Sequence, residues 1–430
     1  MGIEGVPPGE GGADRSEGFG ERLLGIPLDL AHRLPPQSIA PLVAEQVAKL
    51  GGREVTIFLQ DYTQELLVPL PGSGLAVTEP EPIDDSPAGT AFLQGRVVEV
   101  PRADGVRVYL PLVAGSDQMG VLGCTLDASD DDVRRLLGRL GVVVAGMLAS
   151  KQSYTDQFFK VRRRQPMSVA AEMQWSLLPP LAMCIPQVEV AGALEPAYDI
   201  AGDSFDYALN DSVLHVAVFD AMGHDLHAAT MATVAVSVFR HARRAGISLG
   251  EKYAFMDQAI ADQFGPDHFV TGQMMHLNIS TGRLELVNAG HPAPLLIRER
   301  RVVRQLEGPT TLPIGFGGRP PRVREFELRR RDRVLCYSDG VIEERDADGQ
   351  PFGVERLIDC VHRMEQTREG VRGAVRWLSR TLKDERGGRT SDDATVFLIE
   401  WCGEGAVVRR PGMSRPVESS DAIPPDAGTR

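Results

Sequence analysis

Apolar positions along this chain change their period several times, and each change marks a different kind of element. Over residues 39–50 they recur at helical spacing and stop at Gly51-Gly52, a pair that favours a helix end. Residues 54–60 then alternate as a strand does, and 65–71 follow as another. Residues 90–94 read as a short helix and 96–100 as a strand. Residues 106–113 and 119–126 form a hairpin that turns at Gly115-Ser116-Asp117. This layout predicts a small mixed domain over 21–136.

The pattern then lengthens. Leu137, Leu140, Val144, Met147, Lys151, Tyr154, Phe158 and Val161 alternate three and four apart, a heptad seam interrupted at Lys151. It has two readings: one amphipathic helix that caps the first domain, or a parallel two-helix connector that makes a homodimer. Pro166 ends or kinks the helix, and a second helix over 169–178 runs up to Pro179-Pro180. Residues 137–180 are thus a helical connector, and 181–403 a further globular segment. Residues 1–20 and 404–430, loaded with Gly, Pro, Ser and charge, read as disordered tails.

Length supports this division, because 430 residues exceed one ordinary domain. The hydrophobic fraction of 43% is enough for packed cores. A formal net charge of -13 argues against nucleic acid or an anionic membrane as partner. The basic runs Arg162-Arg163-Arg164 and Arg329-Arg330-Arg331 read as solvated faces. There is no apolar stretch behind a basic start, and no run long enough to cross a bilayer, so a soluble cytoplasmic protein is expected. Cys124, Cys184, Cys336, Cys360 and Cys402 are odd in number and form no CxxC pair, which excludes a disulfide framework or a thiolate zinc site.

The chemistry lies in the aspartates. An apolar strand over 214–219 runs into Asp220, followed by Ala221-Met222-Gly223-His224 and a long helix from about Leu226. A second strand, Arg333–Tyr337, leads through Ser338 to Asp339-Gly340, and Asp392-Asp393 precede a third over 394–400. Asp203 and Asp206 stand three apart before the first of these. Each Asp taken singly has an ordinary role at a turn or helix N-cap. Together they predict one acidic cluster, with three acids on one edge of a sheet if the last strand is antiparallel. Carboxylates so gathered repel by about 4 kcal/mol per pair at 4 Å with an effective dielectric of 20, so they need protons or cations. Oxygen ligands suit Mg²⁺ or Mn²⁺, and two such ions can activate water for attack on a phosphoryl group. No G-x-S-x-G elbow, H-E-x-x-H or C-x5-R loop offers a different route. His224 and His227, three apart at a helix start, and His291 read as structural rather than catalytic.

Five ordered motifs carry a family resemblance: Ala201-Gly202-Asp203-Ser204-Phe205-Asp206, Asp220-Ala221-Met222-Gly223-His224, Asn288-Ala289-Gly290-His291-Pro292, Ser338-Asp339-Gly340-Val341 and Asp392-Asp393-Ala394-Thr395. They resemble the PPM family of metal-dependent protein serine/threonine phosphatases, in its bacterial SpoIIE/RsbU-like branch, over about 168–400. The layout of 21–136 resembles a GAF domain. The fold class implied is α+β: a GAF-like sensory domain, the helical connector, and a two-sheet sandwich flanked by helices with the metals between the sheets. The resemblance implies that Asp203, Asp220, Asp339 and Asp392 and the Ala221 carbonyl hold two Mn²⁺ or Mg²⁺ ions. Asp393 falls where other branches carry Asn and ranks below Asp392; Asp225 reads as a helix cap. The implied substrate is a phosphorylated STAS-type anti-sigma-factor antagonist. The rival readings are a ligand-sensing scaffold with a non-catalytic phosphatase fold, and a two-metal hydrolase of nucleotides or small phosphoesters.

Overall fold

The computed structural model describes residues 33–403, together with Gly25 and Asp29, except for 310, 318–320, 345–349 and 386–391. Both expected tails, 1–20 and 404–430, therefore lie outside the described residues.

The N-terminal domain is one sheet covered on both faces. Its elements are α1 (Ile39–Lys49), β1 (Gly52–Gln60), β2 (Leu66–Pro69), β3 (Glu81–Pro82), α2 (Pro87–Gln94), β4 (Val98–Arg102), β5 (Gly105–Ala114), β6 (Asp117–Leu126) and α3 (Asp131–Lys151). The strands lie in the order β3-β2-β1-β6-β5-β4, all antiparallel. Strand alternation divides the side chains between two cores. Val55, Ile57 and Leu59 of β1 pack with Val108, Leu110 and Leu112 of β5 against α1 and α3. Phe58 and Tyr109 point the other way, onto Phe92 of α2.

The heptad seam is explained by the first of these cores. Leu137, Leu140, Val144 and Met147 are all buried against the sheet. The helix ends at Lys151, where a 3-10 turn over Gln152–Tyr154 and a separate α4 (Gln157–Arg162) follow. Lys151 is buried and donates to the Leu34 carbonyl at 2.5 Å. Of the two readings of 137–165, the apolar face of α3 packs on the domain's own core as a capping helix does, and the helix breaks at Lys151 instead of running on to 165.

The C-terminal domain has four layers. After α5 (Val169–Leu177) come β7 (Ala182–Ile185), β8 (Val188–Glu195), β9 (Asp203–Asn210), β10 (Val213–Ala221), α6 (Leu226–Arg244), α7 (Leu249–Phe264), β11 (Val270–Asn278), β12 (Arg283–Ala289), β13 (Leu295–Arg298), β14 (Arg301–Gln305), β15 (Arg324–Glu327), β16 (Arg333–Tyr337), α8 (Gly353–Thr367), α9 (Val371–Glu385) and β17 (Ala394–Trp401). One sheet has the order β15-β12-β11-β10-β9 and the other β14-β13-β16-β17-β8-β7. Their inner faces meet in a core that includes Phe205, Val216, Val218, Cys336 and Phe397, with the Phe205 and Phe397 rings 4.9 Å apart. Helices α6 and α7 cover the outer face of the first sheet, and α8 and α9 that of the second. Among the described residues no helix is long and apolar enough to cross a membrane.

Truncating the seam distinguishes its two roles. Leu140→Ala removes a fully buried side chain and is expected to cost about 2–5 kcal/mol in urea unfolding. Val142→Ala, on the exposed face of α3, should stay within about 0.5 kcal/mol.

Candidate functional site

Strand parity decides which aspartates meet. In β10, Leu214, Val216 and Val218 face the inter-sheet core while Ala217, Phe219 and Ala221 face α6 and α7. Asp220 shares the parity of the inner set and so points between the sheets. In β9, Phe205 and Tyr207 are inner residues, which places Asp203 inside and Asp206 outside. The two acids three apart therefore part company. Asp206 is buried beneath α6, where Arg240 and Arg243 ion-pair with it at 2.6 and 2.5 Å, and it has no place in the cluster.

Asp203 and Asp220 are direct neighbours across the β9–β10 ladder. From the opposite sheet, β16 delivers Ser338 and Asp339, and Asp392-Asp393 lead into β17. Ser338 Oγ donates to Asp203 Oδ2 at 2.6 Å and accepts the Thr395 N–H at 2.8 Å. Asp393 Oδ2 accepts the N–H groups of Ala201 at 2.8 Å and Gly202 at 2.6 Å. The expectation of one shared sheet edge is corrected. β16 and β17 are antiparallel neighbours as required, but β10 belongs to the other sheet, and the acids face one another across the sandwich.

Burial grades along the cluster. Asp203 and Asp393 are buried, Asp220 and Asp339 half-buried, and Asp392 exposed. Asp203 is held well above the usual carboxylate range, first by burial and then by the charges of Asp220 and Asp393. Asp220 is pushed up to about 8 by burial and by Asp339, Asp392 and Asp393. Asp339 is raised by burial, then by Glu343 and Asp392. Asp393 rises only to about 6, since burial is opposed by the three backbone N–H groups it faces. Asp203 Oδ1 is buried without a hydrogen-bond partner. Among the described residues no three His, Cys, Asp or Glu side chains close on one point at ligating distance; the carboxylates are gathered without being drawn together.

Two glycines make the approach possible. A Cβ on Gly202 would lie 2.6 Å from the Ala221 carbonyl oxygen, and one on Gly340 would collide with the backbone of Asp393. Only a residue without a side chain lets these segments stack so closely.

Ser338 and Asp393 take roles the sequence obscured, whereas Asp225, His291 and His227 take the structural roles expected of them. Ser338 and Asp393 tie the two sheets together at the cluster; the sole signal was their adjacency to Asp339 and Asp392. Asp225 caps α6 by accepting from His227 and Ala228. His291 is buried, with Nδ1 2.8 Å from Thr271 Oγ1 and its N–H donated to Asn288 Oδ1, so it shapes the turn after β12. The His227 ring packs against Phe264 and His268.

Residues 210–402 match the family model of stage II sporulation protein E (SpoIIE). The phosphoserine phosphatase RsbP of Bacillus subtilis (strain 168) is 25% identical over 194 residues, which cover 44% of this chain and 47% of that protein. The chain thus spans about half the length of this curated relative. Among solved structures, the RsbU and RsbW domains of a Mycobacterium tuberculosis protein align at 24% identity with a TM-score of 0.45, over 51% of this chain and 62% of that one. The SiaA-PP2C domain of Pseudomonas aeruginosa aligns at 19% identity with a TM-score of 0.47, over 54% and 94%.

Raised acids make a pH prediction. Asp220 binds its proton more tightly folded than unfolded, so its burden on stability is absent near pH 4 and grows as pH rises towards 8. In EDTA, Asp220→Asn should match the parent chain near pH 4 and melt at increasingly higher temperature than it up to about pH 8. A constant difference across that range would contradict the assignment. Over residues 210–402 the C-terminal domain is thus similar to stage II sporulation protein E (SpoIIE).

Proposed function

We propose that the chain is a metal-dependent protein serine/threonine phosphatase that hydrolyses a phosphoserine or phosphothreonine protein and is regulated by its N-terminal domain. One observation carries this reading: a fully buried aspartate, Asp203, keeps an unpartnered carboxylate oxygen inside a cluster with Asp220, Asp339 and Asp393. A fold that assembles such charges without a basic partner is suited to cations. The donors are carboxylate oxygens and the Ala221 carbonyl, which fits hard ions of the Mg²⁺ or Mn²⁺ kind.

In this reading Asp203, Asp220, Asp339, Asp392 and the Ala221 carbonyl hold two ions. When bound, they lower the pKa of a water and neutralise phosphoryl oxygens. The protein's own part is to place the donors. Ser338 fixes the rotation of the Asp203 carboxylate through Oδ2 and leaves Oδ1 free to bind. Asp393 clamps the Ala201-Gly202 backbone that precedes Asp203. The exposed Asp392 sets the cluster's solvent-facing rim, where a phosphorylated side chain on a protein surface can reach it.

The partner we infer is a phosphorylated STAS-type anti-sigma-factor antagonist, supported by the SpoIIE/RsbU-like motifs and by a relative that carries the name phosphoserine phosphatase. The N-terminal domain, read as GAF-like from its element order, would be the sensor. A chain acting only as a scaffold would have no use for an unpartnered buried carboxylate.

Hydrolysis of a phosphoserine peptide should require Mn²⁺ or Mg²⁺ and vanish in EDTA. Asp220→Ala should lose at least about 100-fold in kcat, by analogy with removal of one electrostatic group from an active site. Ser338→Ala should fold and weaken Mn²⁺ binding by about 10–100-fold in calorimetry. Full activity in EDTA would overturn the proposal, as would an active Asp220→Ala variant.

A further inference from the structure

One cavity among the described residues shares no lining residue with the acidic cluster. It has a volume of about 580 Å³ and lies at the junction of the two domains, in the size range of small-molecule sites. Both domains and the turn between them build its walls. Tyr62 comes from the segment after β1, Phe158 and Phe159 from α4, Trp175 from α5 and Arg372 from α9. Tyr62 and Trp175 lie with ring centroids 4.8 Å apart, and the Arg162 guanidinium stacks on Tyr62 at 4.7 Å. Part of the wall is thus aromatic, beside polar residues that include Asp117 and Asp156.

Of the two arginines that line the cavity, Arg162 and Arg372, the second is unusual in its surroundings. Arg372 donates from Nη1 to Gln118 Oε1 at 2.8 Å and lies 5.1 Å from the Phe92 ring centroid. Among the described residues it has no carboxylate at ion-pairing distance, whereas its helix neighbours Arg376 and Arg380 both pair with Asp84 and Lys383 pairs with Glu65. The nearby Asp117 carboxyl is raised by burial and lowered by the charges of Arg372 and Arg162, with burial the larger effect. Burial pulls the Arg372 guanidinium down to about 10, against the opposing charge of Asp117, and no carboxylate forms an ion pair with it among the described residues. A guanidinium offers five donors in a planar fork that matches an oxyanion, and one neutral amide oxygen uses only one of them.

We propose that this cavity is a binding site for a small molecule with a ring-containing apolar body and one oxyanionic group, the ring lying among Tyr62, Trp175, Phe158 and Phe159 and the anion meeting Arg372. A ligand held there touches both domains at once. Its binding energy therefore favours the arrangement in which the N-terminal domain rests on α9. The site stands independently of the phosphatase reading, since it shares no residue with the acidic cluster.

Isothermal titration of the full chain with 2-naphthoate tests this without turnover or metal. Saturable binding of one 2-naphthoate per chain is expected, at least tenfold weaker for neutral naphthalene-2-methanol on the unaltered protein. Arg372→Gln should weaken 2-naphthoate at least tenfold, and Ala149→Trp, which fills the cavity from α3, should abolish binding. No saturable binding at 1 mM ligand (about the −4 kcal/mol level) would overturn the proposal. Equal affinity for acid and alcohol, or for the parent and Arg372→Gln, would do so as well.

Discussion

The C-terminal domain is organised around a short hydrogen-bonded bridge between its two sheets: Ser338 on one, Asp203 on the other, with Asp393 gripping the backbone that leads into Asp203. Apolar packing holds the sheets together elsewhere, as between Phe205 and Phe397. At this end of the sandwich the inner face carries carboxylates, and burying a charge is costly unless it is paired. Polar contacts therefore replace apolar ones where the cluster forms. They leave one Asp203 oxygen free, and they do so only because Gly202 and Gly340 allow backbone to approach backbone.

This arrangement sets function against stability. Asp203 and Asp220 are both held above the usual carboxylate range, which means that the cluster by itself resists full ionisation. Stability is recovered in the layers outside. Asp206, one strand position away from the inner face, is neutralised by two arginines of α6, and Arg333 is held between Glu365 and Glu400 behind β16. Buried acids with basic partners serve the scaffold; Asp203, whose buried Oδ1 has no hydrogen-bond partner, is the candidate for chemistry.

The two domains meet through a different kind of contact. Basic residues spaced along α9 pair with Asp84 and Glu65 of the N-terminal domain, while Tyr62, Trp175 and Tyr198 cluster beside them. Exposed ion pairs of this kind contribute modestly, so the docking is held by a small aromatic cluster and a charged seam rather than by a continuous core. Such a junction can be altered by a ligand more readily than either domain's interior.

Much of the fold was legible in the chain itself. Alternation identified β1, and apolar runs beside aspartates identified β10, β16 and β17, nearly to the residue, because half-buried strands alternate whereas fully buried ones are apolar throughout. Aspartates at strand ends were visible for the same reason. What the sequence could not decide was which sheet each strand joins, since pairing is a long-range choice that leaves no local trace; hence the single sheet edge expected for Asp220, Asp339 and Asp392 became two facing sheets. Nor could spacing distinguish a dimer seam from a domain core over Leu137–Met147, because both present the same apolar stripe and only the neighbouring strands β5 and β6 determine what covers it. The sequence by itself determined the elements and the residues able to carry charge. The tertiary structure decided their company, placing Asp203 beside Ser338 and Asp206 beside Arg240, because three residues along a strand is enough to turn a side chain to the opposite face.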